Sequence, residues 1–433
     1  MSIDAIPKPF RGPWQGDAKI ILGIDIGTTQ SNVAFSFLQE GGGQLVHNVS
    51  RWPGQEACQQ QGKIPTIVWY DTNQRAVAFG AEAQLPTTEE QAEDNGWVLA
   101  KHFKLHLYPS DMLARHGLTP DSLPPGVNLS RIYSDFLGYL LHHTKTYFED
   151  RIPDGKSIWE QYSPAMEVVI THPNGWGLRE ESFLRLAAVT AGFSTPDRAS
   201  SKVRFVSEAE GLVYSCIYDL RDRFQPIAIF LVCDVSDFMA KSTLYSVISA
   251  LPFLKFEKVD TVCVPSSHNS VDFEVEKFLR TTLAGVDLSP SEVEEHIKTG
   301  VKELRFALHD FGGETSDIHI RVGNSYFHNS AIRTRRGRMS ISGSIAKGFF
   351  DPFIKEITKS VDQQLESHNM WGTYVSHIIL AGKFASNPYV RREFAKRYGC
   401  QTPRLNSDRY DRLLVLHTAI VSPHLFIKLG RAH

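Results

Sequence analysis

The sequence predicts an α/β chain made of two similar halves. Three observations carry this. The segments KIILGIDIGTTQSNVAFSFL (19–38) and IAIFLVCDVSDFMAKSTLY (227–245) each read as a buried strand, an Asp, a short turn and a second strand. Each half later returns to a strand followed by a helix, as in AMEVVITHP then REESFLRLAAVTAGF, and VSHIILAG then PYVRREFAKRY. Hydrophobic content of 42% and charged content of 22% are ordinary for a chain that buries a core, and 433 residues suffice for two or three domain-sized units.

The elements follow in order. Residues 1–18 are rich in Pro and Gly and read as a flexible or surface-draped arm. The first lobe then covers 19–225, with a subdomain inserted at about 47–129. GKIPTIVWYD and RAVAFGAEA give two strands, while 86–128, full of Pro, Asp and Glu, reads as irregular. Residues 130–150 form a helix capped by Ser130, with Ile132, Phe136, Leu137, Leu140 and Leu141 on one face. The second lobe covers 226–433, with an insertion at about 251–340 holding two helical patterns, VDFEVEKFLRTTL and SEVEEHIKTGVKELRFALHD. RTRRGR (333–338) reads as a solvated loop, with a nucleic-acid role as the lesser alternative. FFDPFIKEITKSVDQQLES reads as a helix with Asp351 as its cap, Pro352 in its first turn and Phe353, Ile354, Ile357, Val361 and Leu365 facing inward. Asn387-Pro388 opens another helix, and RLLVLHTAIVSPHLFIKL closes the core.

Bulk properties narrow the function. A net charge of -2 gives no global pull toward nucleic acid or an anionic membrane, so neither is an expected partner. Five scattered cysteines without metal or disulfide spacing fit a reducing compartment. The N-terminal segment has no apolar run of the signal-peptide kind, and PIAIFLVC is far too short to span a bilayer, so the expected location is cytoplasmic. His142-His143 on one helix and the pair His102/His106 lack a third ligand nearby, so no metal site is expected.

Five segments in order carry a family resemblance: GIDIGTTQSNVAF, VSEAEGLVYSC, GVKELRFAL, FFDPFIKEI and ILAGKFASNPYVRREF. The chain resembles the actin-like ATPase domain of the 70-kDa heat-shock chaperones, in particular divergent fungal members. The resemblance implies a two-lobed, ribonuclease H-like fold with a central cleft. The chain stops where that domain would stop, so no peptide-binding β-domain is expected.

A nucleotide clamp of this kind needs glycine hairpins whose N–H groups approach the phosphates, carboxylates for hydrated Mg²⁺ and a lysine against phosphate charge. The first loop fits: Asp25, Gly27, Thr28 and Thr29 stand as the family has them. That loop alone reads equally well as a hairpin whose turn serves folding. The second loop departs. The family pattern Asp-x-Gly-Gly-Gly-Thr-x-Asp becomes Asp234, Val235, Ser236, Asp237, Phe238, Met239, Ala240 and Lys241. The double glycine of the adenosine motif becomes Gly382-Lys383, followed by Phe384. In the clamp helix Arg305 remains, but Leu304 and Leu308 replace polar residues, and the glycine-rich stretch before DFEVEKFL reads CVPSSHNSV. Glu208 matches the acid between the lobes, and Lys104 aligns loosely with the phosphate lysine.

Losing one charge-stabilising group costs a phosphoryl-transfer site roughly 10² in rate. With several lost, useful ATP hydrolysis is not expected. The sharper reading is a cleft turned apolar by Phe238, Met239 and Phe384, with Lys241 standing in for the metal beside Asp25, Asp234 or Glu208. On that reading the chain needs no cofactor and takes an apolar small molecule. Its most specific form is a pericyclic cyclase of fungal secondary metabolism that folds its substrate and donates a hydrogen bond from Lys241, Lys383, Thr28 or Thr29. Two alternatives stand beside it. One is an ATP-binding chaperone relative, with Asp25, Gly27, Asp234 and Gly382 on Mg·ATP; the other is a non-catalytic scaffold.

Overall fold

The computed structural model describes residues 8–398 apart from 56–61, 116–118, 174–175, 209–210, 212–228, 236–238, 250–254, 266–270, 314–316, 370–374 and 382–386. They form two compact units, one chiefly within residues 1–218 and the other within 219–407.

The first unit contains β1 (Lys8–Pro13), β2 (Lys19–Ile26), β3 (Gln30–Leu38), β4 (Gly43–Asn48), β5 (Ile64–Pro65), β6 (Ile67–Tyr70), β7 (Ala76–Phe79), β8 (Val98–Lys101), β9 (Glu167–His172) and β10 (Val203–Ser207). Its main sheet runs β1-β4-β3-β2-β9-β10, with β5 beside β3, and β6 to β8 make a small separate sheet. β2 pairs antiparallel with β3 but parallel with β9, which pairs parallel with β10. β2 is covered on both faces: Ile20, Leu22 and Ile24 enter one core with Ile132, Phe136 and Leu140, while Ile21 enters another with Ala34 and Val169. That double burial explains its near-continuous apolar run.

The second unit contains β11 (Ile229–Val235), β12 (Met239–Ser249), β13 (Lys255–Pro265), β14 (Ile318–Arg321), β15 (Thr334–Arg335), β16 (Arg338–Ile341) and β17 (Val375–Ala381). Its main sheet runs β13-β12-β11-β17, with β17 parallel to β11. The order β4-β3-β2-β9 of the first unit therefore recurs as β13-β12-β11-β17. Leu231, Cys233, Val235, Ala240 and Leu244 turn one sheet face into the core, against Phe350, Phe353, Ile357 and Val361 of the Gly343–Asn369 helix.

Several sequence expectations are corrected. Residues 8–13 are not a loose arm; they add an edge strand to β4, with a register shift between Pro9 and Pro13. An edge strand tolerates proline because its outward N–H groups have no strand to serve. Residues 86–128 hold a helix at Pro86–Asn95, with Pro at its start and Gly96 closing it at φ 65°. It buries only Thr88 and Ala92, so apolar periodicity could not reveal it; its end signals could. The helix Leu129–Arg151 is capped by Asn128, whose side chain accepts the Arg131 N–H, while Ser130 already lies inside the first turn. The helix containing Asp351 begins at Gly343, so Pro352 lies in its interior and Asp351 accepts the Tyr389 hydroxyl at 3.0 Å. Core packing of Phe349, Phe350 and Phe353 around the proline offsets the lost backbone bond. RTRRGR is a β-hairpin, β15 turning into β16, rather than a loop. The expected cap at Asn387 is present: its side-chain Oδ1 accepts the Tyr389 and Val390 N–H groups, both at 3.0 Å. Its amide also donates to Leu308 O at 2.9 Å. The closing segment RLLVLHTAIVSPHLFIKL lies outside the described residues. No helix among the described residues is long and apolar enough to cross a membrane.

Burial makes one histidine a stability determinant. His47 stacks on Phe35 at 4.9 Å, and burial, helped by the Arg151 charge, pushes its pKa from the ordinary 6.5 down to about 4. The folded state thus holds His47 neutral where the unfolded chain would protonate it. Its contribution is complete above pH 6.5 and is lost as the pH falls through about 4, by at most about 3.4 kcal/mol. Urea midpoints measured from pH 4 to pH 7 should rise with pH, and His47→Gln should flatten that rise. An equally steep rise in the variant would remove His47 as its cause.

Candidate functional site

Parallel strands β2, β9 and β10 end on one edge, and ligands of open α/β sheets bind beyond such carboxyl ends. Here those ends bring Asp25, Thr171, His172 and Glu208 together. Register pairs Ile24 with Ile170 and His172 with Ser207, so Asp25 emerges beside Thr171. The Thr171 hydroxyl donates to Asp25 Oδ1 at 2.6 Å. His172 is buried, donates through Nδ1 to the Pro173 carbonyl at 2.8 Å, and has Nε2 3.8 Å from Glu181.

A lysine reaches this edge from a tight 3-10 turn, Phe103–Leu107, entered through His102 at φ 49°. Phe103 and Leu105 anchor the turn in the core, and Lys104 between them is only 3% exposed. Its Nζ donates to Glu208 Oε1 at 2.7 Å and lies 5.8 Å from the Trp176 ring, which meets Tyr108 edge-on. Burial would lower the lysine pKa. The negative charges of Glu208 and Asp25 and the nearby Tyr108 outweigh that and hold it above the ordinary lysine range. Burial pushes the Tyr108 phenol up to about 12, against the opposing pull of Lys104. The ammonium is therefore a fixed charge, present at every physiological pH.

The Gly27–Thr29 turn between β2 and β3 stands next to Asp25. The Gly27 N–H donates to Gln30 O at 3.0 Å, and a Cβ on Gly27 would lie 2.2 Å from that same oxygen. The glycine is thus required by the hairpin itself, whatever it binds. Thr28 and Thr29 are half-buried, and the Thr29 carbonyl accepts the Thr66 N–H at 2.9 Å.

Of the sequence candidates, Asp25, Gly27, Thr28, Thr29 and Glu208 thus lie in the first unit, joined there by Lys104. Glu208 pairs with Lys104. In the second unit Asp234 and Lys241 stand directly opposite in the β11–β12 ladder, on the sheet face turned away from the Leu231–Cys233–Val235 core. Phe238, Gly382, Lys383 and Phe384 lie outside the described residues, as does the side chain of Met239. Arg305 is held by Asp272 at 2.8 Å, and Leu304 and Leu308 are core residues, so packing explains their apolar character. His102 and His106 both meet Asp121, through its carboxylate and its carbonyl. Among the described residues no group of three metal-ligating side chains occurs. Sequence reasoning missed Thr171, Tyr108 and Trp176. The strand-end position of Thr171 was the one signal available.

No family model matches the chain. Among curated proteins it is similar to heat shock 70 kDa protein 12A of mouse, 24% identical over 197 residues, which is 45% of this chain and 28% of that protein. It is also similar to human heat shock 70 kDa protein 12B, 25% identical over 219 residues, 48% of this chain and 30% of that protein. The chain spans under a third of the length of the curated relatives it matches. By these matches it is a distant homologue of members of the 70-kDa heat-shock protein family.

Proposed function

We propose that the chain binds a nucleotide-type phosphate ligand at the β2, β9 and β10 edge and does not hydrolyse it at a useful rate. The observation that supports this is the buried Lys104, locked as a cation by Glu208 with the Asp25–Thr171 pair beside it. The recurring strand order and the distant heat-shock homology support an actin-like, two-lobed ATPase fold as its frame.

The residues of the first unit fit such a ligand. Lys104 and the N–H groups of Thr28 and Thr29 would hold phosphate oxygens, and Asp25 and Glu208 would orient water around Mg²⁺. When bound, Mg²⁺ supplies charge neutralisation on the phosphates. The second unit fits the metal poorly: Asp234 faces Lys241, an ammonium where the family pattern has its second acid. The cyclase reading rests on Phe238, Met239 and Phe384, whose side chains lie outside the described residues, so nothing described favours it.

Calorimetric titration of the whole chain with ATP and ADP, with and without Mg²⁺, tests the proposal. Saturable binding is expected, with turnover at least about 10²-fold below that of an intact site of this type. Absence of both heat and thermal shift at millimolar nucleotide would overturn it. A saturable response to an apolar polyene in its place would put the cyclase first.

A further inference from the structure

The small sheet of the second unit has one apolar and one basic face. Ile320, Met339, Ile341 and Thr334 are buried, each at about 1% exposure. The residues alternating with them point outward, and there the strand register places arginine against arginine. Arg321 of β14 lies opposite Arg338 of β16, and Arg338 lies opposite Arg335 of β15. Three arginine stems therefore stand in one row, a strand spacing of about 4.8 Å apart. Like charges placed directly across a ladder destabilise it. Between residues 317 and 341 stand five arginines and a single carboxylate, Asp317, which pairs with Arg333. Among the described residues that is the one ion pair on this face.

The backbone adds a second observation. Arg333 and Arg336 both sit at φ 51°, a left-handed conformation that asparagine, aspartate or glycine adopts at lower cost. Arg336 and Gly337 form the tip between β15 and β16. A Cβ on Gly337 would strike the carbonyls of Gly323 and Asn324 at 2.3 Å, so the tip is clamped on the neighbouring loop. That loop carries Tyr326, which is 93% exposed.

We propose that this face binds single-stranded nucleic acid, with Arg321, Arg335, Arg336 and Arg338 on phosphates and Tyr326 as a stacking platform. Guanidinium forks match phosphate oxygens in pairs, and the five basic groups here are all arginine. An exposed aromatic beside a basic track is the arrangement on which bases stack. The row lacks the large aliphatic anchors that a protein partner or a lipid surface would need. The near-neutral charge of the whole chain, 46 basic against 48 acidic residues, averages over this local excess.

Fluorescence anisotropy with labelled 20-mers of oligo-dT and oligo-rU checks it, using the full chain at several salt concentrations. Saturable, salt-dependent binding is expected to at least one of the two, and which one binds identifies the source. Arg335→Gln/Arg338→Gln should weaken binding at least about 10-fold and reduce the log–log salt slope by about 1.4. Tyr326→Ala should weaken it several-fold with the slope unchanged. Without ligand, Arg338→Gln should melt about 1–3 °C higher than the parent, since it relieves two like-charge pairs. The proposal is overturned if neither oligonucleotide binds, if binding ignores the arginine pair, or if anionic vesicles or polyglutamate bind and the oligonucleotides do not.

Discussion

Lys104→Met is expected to destabilise the first unit and to weaken the nucleotide binding proposed for it. Methionine keeps most of the packing volume against Trp176 and Tyr108 but removes the charge. Glu208 and Asp25 would then share an edge without their cation. Breaking a buried ion pair from one side costs about 3–5 kcal/mol. The Glu208 side chain retains 33% exposure and can turn to water, so about 2–4 kcal/mol is the expected loss. Nucleotide affinity should fall at least about 30-fold, because the charge proposed to hold the phosphates is gone. Urea denaturation and calorimetry measure the two effects separately. Lys104→Met/Glu208→Gln should regain part of the stability and none of the affinity. Parental affinity in Lys104→Met would sink the phosphate role of this lysine, and an unrecovered double variant would sink the coupling between the two charges.

Gly27→Ala should be nearly as damaging, for a steric reason. The added methyl would sit 2.2 Å from the Gln30 carbonyl oxygen, a backbone atom already accepting the Gly27 N–H. A flexible side chain could step aside; this carbonyl could move only by opening the β2–β3 turn. The expected cost is about 3 kcal/mol or more, together with loss of nucleotide binding as the turn shifts. Gly138 is the internal control. It lies in the Leu129–Arg151 helix with nothing within 4 Å of a built Cβ, so Gly138→Ala should stabilise by about 0.5–1 kcal/mol. Equal melting of the two variants would show that the close contact at Gly27 carries no weight.

Local patterns made much of the fold legible. The β2–β3 and β11–β12 hairpins, the strand Glu167–His172, and the helix opening at Asn387-Pro388 all announce themselves through alternation, β-branched residues or caps. The two misreadings have different causes. The Pro86–Asn95 helix buries too little to show periodicity, and the Gly343–Asn369 helix runs through a proline because its aromatic residues pack on both sides of it. The first is bounded by its local end signals, Pro86 and Gly96, and only in the second did tertiary burial override local preference.

From the sequence alone came the two-fold strand–turn–strand plan, the distant heat-shock kinship, and the exchange of glycines and an acid for bulk and Lys241 in the second loop. Only the tertiary structure decided which charges meet. Lys104 finds Glu208 across 104 residues, and Thr171 finds Asp25 across 146. The register of β14, β16 and β15 turned a run that reads as a solvated loop into a row of facing arginines. The reason is range: periodicity and capping act within a few turns of chain, whereas an ion pair depends on strand order and register, to which no local stretch of sequence is sensitive.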